Sequence, residues 1–164
     1  MPDPKSIVIN TSPLLALIAA FGDLKILQTL YSQIWVPYEV GQEITVDSAS
    51  RFGASEFLAA TWLNTQSSPI SLSPFLANSL DRGEASVIQL ALNESIPTVC
   101  IDETVGRRIA KLSGLSITGS VGILLKAKQL DPSLSVTHHI QRMQNQGIRL
   151  SQRLIQAALK QAGE

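Results

Sequence analysis

The chain has 164 residues, with 13 Lys and Arg against 13 Asp and Glu; 45% of it is hydrophobic and only 16% charged. That length allows one domain, or one with a small appendage, and a full buried core. High hydrophobicity with little charge excludes a disordered chain. The longest apolar run, Leu14 to Phe21, is eight residues, far short of the roughly 20 needed to cross a bilayer.

The segment Met1 to Lys5 has no apolar stretch of the leader type, so a signal peptide is not expected. With Cys100 as the single cysteine, no internal disulfide can form, and a reducing cytoplasm is the expected location. The charge is unevenly spread. Residues 1–100 carry four basic and nine acidic side chains, and residues 101–164 carry nine basic and four acidic. Such a split suits a carboxylate site beside a surface that attracts anions, although helix faces solvated differently would give it too.

In chain order, Ser6 to Ile9 is a short β-branched run and reads as a buried strand. Ser12 and Pro13 then open a helix to about Ala20. Asp23 is the expected cap of a second helix, with Leu24, Leu27, Leu30 and Tyr31 on one face. Gln33 to Val36 is a second strand; Pro37 ends it and opens a helix from Tyr38 to about Thr45. A helix follows over Ala54 to Thr61, then a polar loop over Asn64 to Ser68 and a weakly extended Pro69 to Leu72. Asp81 starts a strong helix to Asn93. Thr98 to Ile101 is a third strand, Glu103 to Leu112 a helix stopped at Gly114, and Leu115 to Thr118 a fourth strand. Helices then cover about Ser120–Gln129, Val136–Gln144 and Gln152–Gln161.

Short apolar strands alternating with helices predict an α/β fold with a largely parallel sheet covered on both faces. Ligands of such sheets bind beyond the carboxyl ends of the strands. There stand Asn10, Thr11 and Ser12 after the first strand, Asp102 and Glu103 after the third, and Thr118 and Ser120 after the fourth. Glu43 lies on the helix that begins after the second strand, and Asp81 and Glu84 start the helix that leads into the third; if the carboxyl ends converge, Glu43, Asp81 or Glu84, and Asp102 could share one cleft with Asn10. Carboxylates brought together persist when protons or hard cations neutralise them. Oxygen donors without His or Cys suit Mg²⁺ or Mn²⁺ rather than zinc, and such an ion could serve phosphodiester hydrolysis.

Plainer roles are open for each residue. Asp81 and Glu84 form a capping-box pattern, Glu43 could be a solvated helix residue, Asp102 could cap the next helix, and Asn10 to Pro13 could be a turn. Arg107, Arg108, Lys111 and Lys126, with Lys128, Arg142, Arg149 and Arg153 beyond, could hold a phosphate backbone or be ordinary helix charges. His138 and His139 are helix neighbours about 100° apart and would not chelate one metal; they read as surface or interface residues. Cys100 reads as a small core residue. Gly119 to Gly122 lacks both the lysine of a nucleotide loop and the dinucleotide spacing.

Five segments in register resemble the PIN-domain superfamily: Ile7 to Leu15, Val36 to Ile44, Leu80 to Ala85, Ile101 to Ala110 and Ile117 to Leu125. They look most like a prokaryotic subgroup of short PIN proteins whose first motif is Asn/Asp-Thr-Ser-Pro-Leu. The resemblance implies a three-layer α/β/α fold with four to five strands, as one domain over residues 1–164, its core at about 6–130 and a C-terminal helical extension at about 131–164. It also implies a Mg²⁺- or Mn²⁺-dependent ribonuclease, related to the toxins of toxin–antitoxin pairs. Carried over position by position, the acidic set falls on Asn10, Glu43, Glu84 (or Asp81) and Asp102. Thr11, Ser12, Thr118 and Ser120 would be supporting hydroxyls, and Arg107 a phosphate contact. Most active PIN nucleases carry aspartate where this chain has Asn10, which offers a carbonyl oxygen but no charge.

Two functions therefore compete. One is an endoribonuclease, its partners RNA and a small antitoxin. The other is a catalytically weak or inactive module that binds RNA or a protein through the same cleft. A small-molecule phosphohydrolase is a third reading, without the Asp-x-Asp motif it would need. Self-association into a homodimer or higher oligomer is expected from the many Leu-rich helices. The nuclease reading requires that oxygens of Glu43, Glu84 and Asp102 share one pocket beside Asn10.

Overall fold

The structure, a computed structural model, describes residues 5–46 and 51–164. The first four residues, part of the segment behind the leader-peptide expectation, lie outside it. The chain opens with β1 (Ser6–Ile9), α1 (Thr11–Phe21), α2 (Lys25–Leu30), β2 (Gln33–Val36), α3 (Tyr38–Thr45), α4 (Ala54–Ala59) and β3 (Asn64–Thr65). It continues with α5 (Pro74–Ser79), α6 (Arg82–Asn93), β4 (Thr98–Cys100), α7 (Thr104–Leu112), β5 (Ser116–Thr118), α8 (Ser120–Leu130), α9 (Val136–Asn145) and α10 (Gln152–Ala162).

The five strands form one parallel sheet in the order β3-β2-β1-β4-β5. The chain moves one way across the sheet from β1 to β2 and the other way from β4 to β5. Right-handed crossovers therefore place α1–α2 and α7 on opposite faces, giving the three layers. The order reverses between β1 and β4, where Val8 pairs with Val99 and Ile9 with Cys100. A crevice opens at such a reversal, beyond the strand carboxyl ends.

Every residue of β1 is buried, as a central parallel strand requires. Burying side chains of the size of Ile7 and Ile9 contributes roughly 1.5–3 kcal/mol each. Cys100 is fully buried in this core, as its sequence context suggested. A second cluster joins Ala16, Ala19 and Ala20 of α1 to Leu124 of α8, Ile140 and Met143 of α9 and Ala158 of α10. Small residues on α1 let those helices approach closely. No described helix is long and apolar enough to cross a membrane.

Two expectations are corrected, and one helix was not foreseen. The stretch read as the loop Asn64–Ser68 starts with β3, because Asn64 and Thr65 pair with Trp35 and Val36 of β2. Pro69–Leu72, read as weakly extended, falls in no helix or strand, and the Ile70 amide donates 3.0 Å to the Glu39 carboxylate. Helix α5 was not foreseen, although Ser73 caps it through the Leu76 amide and Pro74 occupies its first position. The cap residue of α2 is Leu24 rather than Asp23, although the Asp23 Oδ1 accepts at 3.0 Å from the amide of Lys25, the first residue of the helix.

Candidate functional site

Asn10 ends β1 with its amide donating 3.1 Å to the Cys100 carbonyl and its own carbonyl accepting from Leu14. It is 5% exposed, yet its side chain does not cap α1. An Asn in that position ordinarily would. The carboxamide stays buried at the sheet edge, one strand from Asp102.

The next residue, Thr11, donates from Oγ1 to Glu43 Oε2 at 2.7 Å. This fixes one carboxylate oxygen of α3 beside the end of β1. On its other side Glu43 lies against Gly83, where any Cβ would collide with Oε1. Gly83 precedes Glu84, so Glu43 and Glu84 meet across the first turn of α6. Asp81 caps that helix, its Oδ1 accepting 3.0 Å from the Glu84 amide. Half of the expected capping box is thus present.

Glu84 itself is 6% exposed, and its Oε1 has no hydrogen-bond partner. Burial first, and then the charges of Asp81, Glu103 and Glu43, push its carboxyl up to about 7. An unsatisfied buried acceptor among like charges is costly unless a proton or a cation fills the gap. Gly106 of α7 leaves the room: a Cβ there would stand 3.2 Å from Glu84 Oε1.

Asp102 follows β4 and does not cap α7. Instead it reaches α8, where Ser120 donates its amide at 2.8 Å and its hydroxyl at 2.9 Å. Ser120 is fully buried, and its hydroxyl is taken up by the Asp102 carboxylate. Arg107 donates 2.8 Å to the Ile101 carbonyl, which anchors the chain that carries Asp102. Gly119 admits both side chains at once. Thr118 lines a cavity of about 680 Å³ beside Asp102, and Ser12 a second of about 360 Å³.

Of the remaining basic candidates, Lys126 lines the larger cavity but is committed to Tyr31, donating 3.1 Å to its hydroxyl and lying 5.1 Å from the ring centroid. Arg108 and Lys111 are exposed on α7 and line neither cavity. His139 packs on Phe21 and on the Ser135 carbonyl, remote in role from the carboxylates. Two features escaped the sequence reading. Glu103 adds its charge to Glu84, a role that its place next to Asp102 could have suggested. The glycines Gly83, Gly106 and Gly119 each stand against one carboxylate, which nothing in their spacing indicates.

The donor chemistry fits a hard divalent cation: carboxylates and an amide at one sheet edge, with one buried carboxylate oxygen unpartnered. The oxygens are held in two subsets, Glu43 with Glu84 and Asp102 with Ser120. Among the described residues no three His, Cys, Asp or Glu side chains gather as one ligand group.

A family model described as a PIN domain, DUF3368, matches residues 6–164. No curated protein matches at a significant level. The chain belongs to the PIN-domain family. It is a nuclease-type α/β module whose carboxylates stand where sheets of this kind place their ligands.

Proposed function

We propose that the protein is a Mg²⁺- or Mn²⁺-dependent endoribonuclease acting in the cytoplasm. The observation that carries this reading is Glu84: buried, unpartnered at Oε1, and pushed up by burial first and then by the charges of Asp81, Glu103 and Glu43. The Glu43–Glu84 pair and the Asp102–Ser120 pair stand apart, so an ion held by Glu84, Glu43 and Asp102, with the Asn10 side-chain carbonyl as a neutral fourth donor, would have to draw the two subsets together on binding. The ion would supply Lewis acidity toward a phosphoryl oxygen and toward water. The chain's own residues do the positioning. Thr11 and Ser120 fix the carboxylates of Glu43 and Asp102, and Arg107 fixes the strand end that carries Asp102.

The family likeness supports a toxin role with a small antitoxin as partner. Self-association into a homodimer or higher oligomer is part of the same reading, drawn from the Leu-rich helices.

The test is incubation of the pure protein with single-stranded RNA and Mn²⁺. Wild type should cleave; Glu43→Gln and Asp102→Asn should each lose about two orders of magnitude, the usual size of removing a group that stabilises developing charge. Undiminished cleavage by both variants would overturn this site. A second reading, an RNA- or protein-binding module without turnover, is favoured by the neutral Asn10. It expects no cleavage by wild type and new cleavage by Asn10→Asp.

A further inference from the structure

Two cavities beside the candidate site share a wall. The larger, about 680 Å³, lies between β5, α8 and the chain leading into α10; the smaller, about 360 Å³, lies between the start of α1 and the chain leaving α9. The two residues that line both are Asp102 and Arg149. Arg149 is exposed, and among the described residues its side chain makes no hydrogen bond or ion pair, with Asp102 or any other. The other cations of the larger cavity are committed, Arg107 to the Ile101 carbonyl and Lys126 to Tyr31. Arg149 is the uncommitted one.

Its placement is preset by the local chain. Gly147, at φ +85°, ends α9 in a left-handed turn, and the Ile148 amide returns to the Met143 carbonyl at 3.1 Å. Ile148 and Leu150 pack against the second apolar cluster, leaving Arg149 between them in solvent. Ser151 then caps α10 through the Leu154 amide. Little backbone freedom remains to be lost when an anion binds.

We propose that Arg149 binds a backbone phosphate of a single-stranded RNA that runs through both cavities past Asp102. The proposal rests on the ribonuclease reading and extends it. A polyanion approaching Asp102 and Glu103 meets like charge, and an uncommitted guanidinium on a fixed stretch of backbone at the junction offsets it with a bidentate fork. Among the described residues no aromatic side chain lines either cavity, so they offer no base-stacking platform there and contact falls on the backbone.

The experiment measures binding of fluorescein-labelled oligouridine and oligoadenine RNA in EDTA, by anisotropy over a range of salt, with circular dichroism on every variant. Arg149→Ala should bind roughly 5–10-fold more weakly, with a salt slope smaller by about one. Arg149→Lys should keep the slope, and Lys160→Ala, at an exposed position of α10 that lines neither cavity, should match wild type. Wild-type affinity and slope in a folded Arg149→Ala would overturn the assignment while leaving the ribonuclease reading intact. A tenfold preference between the two RNAs would overturn backbone-directed contact. No binding or cleavage of RNA by wild type would remove both readings.

Discussion

At Gly119 a methyl group would stand 2.7 Å from Asp102 Oδ1 and 3.0 Å from Arg107 Nη1. Real contacts are not that short, so Gly119→Ala must push the carboxylate off Ser120. We expect a loss of about 10–100-fold in Mn²⁺ affinity or cleavage, the usual range when a ligand's support is disturbed, with an unchanged circular dichroism spectrum. Retained affinity, by calorimetric titration, would show that Asp102 is not a ligand. Glu84 gives a prediction with a sign. Its carboxyl, raised from 4.5 to about 7, holds its proton more tightly folded than unfolded. Stability should therefore fall as pH rises through that window. Glu84→Gln removes the ionisation and should melt a few degrees above wild type at pH 8 in EDTA, an advantage that vanishes near pH 4. A lower melting temperature for the variant at pH 8 would contradict the repulsion. Glu43, Glu84, Asp102, Thr11 and Ser120 could be singled out from strand ends and from the family resemblance, while their contacts with Gly83, Gly106 and α8 could not. Gly83, Gly106 and Gly119 were not legible in the sequence, because each matters only through a neighbour distant along the chain or brought close by a turn.

Among the elements, α9 shows how a distant side chain completes a helix. Glu164 accepts from the amides of Val136 at 2.7 Å and Thr137 at 3.0 Å, and pairs with Lys128 at 3.5 Å. The Thr137 amide first, then the Val136 amide, the Thr137 hydroxyl and Lys128, together outweigh burial and hold its carboxyl down at about 2. A lowered value means the stabilisation is complete above about 4.5 and is lost as pH falls through 2. Glu164→Gln should melt about 2–4 °C lower at pH 7, as for a lost cap of about 1 kcal/mol. The gap should close on acidification; a gap unchanged at pH 2 would exclude the carboxylate as its source. Long helices and apolar strands were legible because their periodicity repeats over several residues. The two-residue β3 and the six-residue α5 were not, being too short to show a period and formed through pairing with β2 and packing against α6.

For the whole molecule, the second apolar cluster joins α9 and α10 to α1 and α8 and so sets where the Arg149 segment lies. Met143 is fully buried there. Met143→Ala should cost about 2–5 kcal/mol in denaturant unfolding; a loss below about 1 kcal/mol would mean the helices are loosely docked. The sequence by itself determined the alternation of strands and helices, the parallel covered sheet, and which oxygen-bearing side chains stand at strand ends. Those follow from local periodicity, caps and the burial that a parallel sheet demands. Only the tertiary structure decided that Glu43 meets Glu84 across Gly83, that Asp102 turns to α8 rather than α7, and that Arg149 faces the same edge. These depend on sheet order and helix packing, which bring together groups that no local pattern along the chain relates.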